Sequence, residues 1–208
     1  MTLLELVVAL TITGLMLASG YGAFATLADR RAVAAERADE VARAAALRRT
    51  LAAWLAGARL TIEEDEIAFR GLDGVRRSDG RSVAAAGAEM PDDDLTFLTT
   101  APTPLGDGET IARLYVDRSD DTPERGLVAE LMEWRGLRRT RVELDPRVAG
   151  LDARYLSGVL GARQWLPSWV STTVLPAGVE LRVVGAIGAD SLAPLLSLPI
   201  TVPFGSGH

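Results

Sequence analysis

Cysteine is absent from the 208-residue chain, and histidine occurs once, as the final residue, His208. The first absence excludes a disulfide framework, a thiol nucleophile and any zinc site built on cysteine. The second removes the imidazole that a triad, a general base or a histidine metal site would need, because a terminal residue holds no fixed geometry. Lysine is also missing, so all 22 basic residues are arginine. They are outnumbered by 28 acids, giving a net charge of −6. Such a balance argues against nucleic acid, whose phosphates demand excess cationic charge. Composition therefore points away from catalysis, and no catalytic residue, cofactor or metal ligand is expected. At 48% apolar and 24% charged residues, the chain does suit a folded domain.

The apolar residues are concentrated at one end. From Leu6 to Ala28 no residue carries a formal charge; as a helix this run would span roughly 35 Å, against about 30 Å of bilayer hydrocarbon. Residues 1–28 therefore read as a transmembrane and assembly helix. Ala23-Phe24-Ala25 resembles a signal-peptide cleavage site, but the flanks oppose that reading. The only charge before the run is the anion Glu5, where a signal peptide needs cations, and the run exceeds the usual hydrophobic region. Arg30 and Arg31 follow the span, and the positive-inside rule would put them in the cytoplasm unless a short basic leader once preceded Met1. Glu5 is costly among apolar residues, by about 2.5 kcal/mol or more at the bilayer centre. It marks either a functional group or a side chain at headgroup depth. Gly14, Ala18 and Gly22 form a small-xxx-small series that permits close helix packing.

The opening string Met1-Thr2-Leu3-Leu4-Glu5-Leu6-Val7-Val8-Ala9-Leu10 resembles the N-terminus of processed type IV pilin-like proteins. The resemblance implies cleavage by a prepilin peptidase and methylation of the new terminal amine, here Met1. It also implies that Glu5 pairs with the terminus of a neighbouring subunit during assembly. Met1 stands where that family usually has phenylalanine. Physical chemistry agrees, since an ammonium on the next subunit would offset the desolvation of a buried anion.

Residues 29–58 read as a soluble continuation of the helix, rich in Ala, Leu, Arg and Glu, with Gly57 marking its end. Val41, Ala44, Leu47, Leu51, Leu55 and Ala58 form an apolar stripe that must be buried. Alternation then predicts strands at 66–70, 95–100, 110–117, 126–134, 137–144, 148–156, 178–184 and 195–202, while Gly71–Pro91 reads as a long loop. The expected fold class is α+β: a long N-terminal helix, transmembrane half plus soluble half, packed on an antiparallel β-sheet head domain that spans residues 59–208.

The stretch Val148–Leu156, then Trp165 and Trp169, then Leu175-Pro176-Ala177-Gly178-Val179-Glu180-Leu181, resembles J-type minor pseudopilins of type II secretion systems. That likeness implies a structural subunit of the periplasmic pseudopilus tip, priming filament assembly and not an enzyme. Its implied partners are the I- and K-type minor pseudopilins, the major pseudopilin and prepilin peptidase. Its implied location is the bacterial inner membrane, as a single-pass protein with the C-terminal head in the periplasm. A minor pilin of a type IV pilus uses similar modules and stays an alternative, as does a membrane-tethered periplasmic enzyme with paired carboxylates, for which no residue speaks. Trp165 and Trp169 are either head contacts, since indoles dominate interaction hot spots, or core anchors beside Pro167. The runs Asp92, Asp93, Asp94 and Asp117, Asp120, Asp121 offer oxygen atoms of the kind calcium takes, but lack the spacing of a dedicated loop and read as solvated turns.

Overall fold

A computed structural model describes residues 2–60, 69–77, 89–158, 163–185 and 198–204, with the backbone alone described at 18–20, 22–23, 25 and 77. The chain divides into two compact units, Met1–Arg43 and Ala44–His208. Helix α1 (Leu3–Ala56) belongs to both. It opens on Thr2, whose carbonyl accepts the Glu5 N–H at 3.0 Å and whose hydroxyl oxygen lies 3.4 Å from the same donor, as at a helix cap. Strong helix formers follow, and no proline intervenes.

In the second unit the last turns of α1 bury Ala44, Leu47, Leu51, Trp54 and Leu55. Val41, the first member of the predicted stripe, lies in the first unit and is 45% exposed. The helix stops at Gly57, where a side chain would collide with Ala101 N and Thr99 Oγ1. Thr99 secures the exit by donating its hydroxyl to the Trp54 carbonyl at 2.7 Å.

The strands are β1 (Ala58–Arg59), β2 (Phe69–Leu72), β3 (Val75–Arg77), β4 (Glu89–Pro91), β5 (Asp94–Thr99), β6 (Thr110–Asp117), β7 (Gly126–Glu133), β8 (Arg139–Asp145), β9 (Val148–Ser157), β10 (Gln164–Leu166), β11 (Trp169–Ser171), β12 (Gly178–Gly185) and β13 (Ile200–Pro203). A seven-stranded sheet runs β11-β2-β5-β6-β7-β8, with β1 also on β5; a four-stranded sheet runs β10-β9-β12-β13; β3 and β4 form a ribbon. Every named strand pair is antiparallel. Period-two alternation turns Leu95, Phe97, Ala112, Leu114, Ala129 and Leu131 to one side of the larger sheet. There they meet Leu151, Ala153, Tyr155, Val179 and Leu181 of the smaller sheet and the end of α1 in a single cluster.

The expected fold class needs correcting. Among the described residues no helix is long and apolar enough to cross a membrane, so the transmembrane half is not supported. Nor is the head one sheet packed by a helix. It is predominantly strand, shared between two sheets and a ribbon. Alternation reports which residues turn inward but not which sheet they join, and this is why the sequence suggested a single layer.

Candidate functional site

The N-terminal part of α1 carries the residues singled out for assembly. Leu3, Leu4, Leu6, Val7, Val8 and Leu10 are all about half exposed or more. Consecutive positions point around the whole helix, so the segment is apolar on every side and not along one stripe. Two of its hydroxyls are satisfied within the helix: Thr11 donates to the Val7 carbonyl at 2.7 Å and Thr13 to that of Ala9 at 2.8 Å, which removes the cost of placing them in an apolar setting. Glu5 lies in the first turn, where the positive end of the helix dipole favours an anion. A Cβ added at Gly14 would meet no atom within 4 Å outside the helix's own nearby backbone and the adjoining residues. Met1 and the side-chain environments of Ala18 and Gly22 lie outside the described residues.

The two tryptophans separate. Trp165 stands on β10 opposite Leu156 and is 41% exposed. Trp169 stands on β11 opposite Gly71, packs on the core and donates its indole N–H to the Val174 carbonyl at 3.1 Å. The short link through Pro167 thus passes from one sheet to the other, with Trp169 packed on the core and Trp165 partly exposed.

Both acidic runs are engaged by protein donors. Asp92 pairs with Arg118 at 2.7 Å and Asp94 with Arg113 at 2.5 Å. Asp117 accepts from the Ser119 N–H at 2.8 Å, from the Thr122 hydroxyl at 3.0 Å and from Arg141. Those bonds, led by the Ser119 amide, hold its carboxyl below the usual range. Asp120 pairs with Arg125 at 2.7 Å. Among the described residues no group of three or more acids is placed to hold a metal ion.

Asp93 differs from its neighbours. It is 3% exposed and accepts from the backbone N–H groups of Gly74 at 2.9 Å and Ala153 at 2.6 Å. Burial pushes its carboxyl up to about 6, opposed by those two donors and reinforced by the like charges of Asp152 and Asp73. Tyr155, fully buried beside it in the core, has no partner for its hydroxyl among the described residues, and burial first, then Asp93, keeps that phenol protonated. Sequence reasoning grouped Asp93 with two solvated neighbours. The available signal was the alternation into β5: with Leu95 and Phe97 turned inward, Asp93 falls on the same side.

Comparison with known proteins finds no family model that matches the chain and no matching curated protein.

Proposed function

We propose that the chain is a filament subunit of the type IV pilin-like kind, most like a J-type minor pseudopilin of a type II secretion system, and that its work is structural and not catalytic. One observation carries the reading. The string Thr2-Leu3-Leu4-Glu5 forms the cap and first turn of a 54-residue helix whose N-terminal side chains are apolar on every side and exposed. A surface of that kind needs cover, and helices of sister subunits provide it in a filament, with the single carboxylate of Glu5 available to meet a neighbour's amino terminus. Before assembly the apolar end associates with the bacterial inner membrane, and the head works in the periplasm beside I- and K-type minor pseudopilins and the major pseudopilin. Prepilin peptidase is the processing enzyme this reading requires.

Two measurements test it. The intact mass of the N-terminal peptide from the native host should show a methylated chain beginning at Met1; an unmethylated chain that retains upstream residues would count against processing. Glu5→Ala should leave the head folded yet reduce incorporation into filaments, and unchanged incorporation would remove the carboxylate from assembly.

A further inference from the structure

Strand β8 ends the larger sheet. Its described pairing is with β7, on one side, so its other side presents backbone N–H and C=O groups that no described strand takes up. The side chains agree: every residue from Arg139 to Leu144 is at least partly exposed, whereas Leu127, Ala129 and Leu131 on the neighbouring β7 are fully buried. Val142 stands opposite Ala129 and packs on the core cluster, but it is only partly covered. It forms the rim of the apolar layer.

The sequence of the strand is self-complementary. In Arg139-Thr140-Arg141-Val142-Glu143-Leu144-Asp145 the cations occupy one half and the anions the other, with Val142 at the centre. Two copies that meet along this edge about a two-fold axis run antiparallel, and the axis passes between one residue and its own counterpart. Centred on Thr140 or Arg141, the register sets arginine against arginine; centred on Glu143 or Leu144, it sets acid against acid, and like charges directly opposite oppose pairing. Centred on Val142, it sets valine on valine, with Arg141 across from Glu143 on both sides of the axis. The pairing rests on these middle residues, because the irregularity of β8 falls between Glu143 and Asp145 and Asp145 is already held by Arg147 at 2.9 Å.

Contacts within the chain leave both charged groups able to take another partner. Arg141 reaches Asp117 and the Tyr115 hydroxyl through Nη2, and its Nε lies 3.9 Å from Glu124; Nη1 takes part in none of these. Glu143 accepts the Arg125 N–H through Oε2 at 2.9 Å, a bond that does not use Oε1. Charges ordinarily keep an edge strand single. Here their signs are arranged so that a second copy satisfies them.

We propose that the head forms a two-fold dimer through β8, in which the larger sheets of two copies join edge to edge about Val142. The edge backbone gains hydrogen-bond partners, Val142 gains an apolar neighbour across the seam, and two arginine–glutamate pairs fix the register. The contact involves the head alone and does not rest on the assembly reading above.

The absence of cysteine from the chain supplies the test. In the full-length protein in detergent solution, the thiol of Val142→Cys faces its counterpart at a separation a disulfide can close, while the two copies of position 140 lie about 13 Å apart along the strands. Mild oxidation should therefore give covalent dimer about tenfold faster with Val142→Cys than with Thr140→Cys. Adding Glu143→Arg, which sets arginine against arginine, should slow the Val142→Cys dimer about tenfold. Equal rates at the two positions would report random collision, and no dimer with Val142→Cys would leave the edge to a different partner; either overturns the proposal, as does a dimer indifferent to Glu143→Arg. Should a cysteine variant fail to fold, hydrogen exchange on the unsubstituted chain decides. Amides of β8 should gain protection about tenfold between about 1 μM and about 200 μM protein, and exchange independent of concentration would overturn the proposal.

Discussion

The phenol of Tyr155 fills the space that any side chain at Gly71 would need: a Cβ built on Gly71 would overlap the Tyr155 hydroxyl and its ring. Gly71 lies on β2 of the larger sheet and Tyr155 on β9 of the smaller, so the glycine lets the two layers approach at this point. Gly71→Ala should destabilise the head by about 2–4 kcal/mol through overpacking, read as a lowered urea midpoint. Tyr155→Phe should be neutral or stabilising by about 1 kcal/mol, because it removes a buried hydroxyl that has no partner among the described residues. A clear loss of stability in that variant would show that the hydroxyl has a partner after all.

The two tryptophans should respond differently. Trp169→Ala removes an indole packed on the core and should cost about 3 kcal/mol or more. Trp165→Ala should change stability by well under about 1 kcal/mol, since that ring is 41% exposed. If Trp165 instead serves a head contact, its replacement should weaken association with a partner head in a pull-down while the melting temperature stays unchanged.

Along α1 the division falls near Ala44. Leu51→Ala and Leu55→Ala should each cost about 2–5 kcal/mol, because both side chains are fully buried. Val41→Ala should change little, within about 0.5 kcal/mol. Equal effects at positions 41 and 51 in thermal unfolding would contradict the placement of the last helical turns inside the head.

Asp117 gives the stability of the head a pH dependence. Its carboxyl is held below the ordinary range, first by the Ser119 amide, so the stability it contributes is present above its unfolded value and is lost as pH falls through the lower folded value. Asp117→Asn should therefore destabilise the head at neutral pH and lose that effect in strong acid. A stability difference that persists unchanged to low pH would show that the lost hydrogen bonds, and not the charge, account for it.

The long central strands were legible because their alternation is regular. Thr110–Asp117 was read with the bounds of β6, and 126–134 differs from β7 by one residue. Short strands were not. Val75-Arg76-Arg77 and Glu89-Met90-Pro91 are three residues each and carry no period, so Gly71–Pro91 read as a loop where β3 and β4 form a ribbon. Strands β10 and β11 exist through their pairing with β9 and β2, partners distant in sequence. The fold class misled for a related reason, since no local pattern says that inward-facing residues are shared between two sheets. At the candidate site the assembly string was visible as a motif, whereas the buried role of Asp93 depended on Gly74 and Ala153, which no spacing connects to it.

Because Leu47, Leu51, Trp54 and Leu55 lie within the core, the head does not begin where the helix ends. A shortened chain starting at Gly57 would lack the side chains around which both sheets close, and it should collect as insoluble material when expressed. Trimming back only as far as Ala44 would retain them, so useful soluble fragments of this protein must keep the final thirteen helical residues, 44–56.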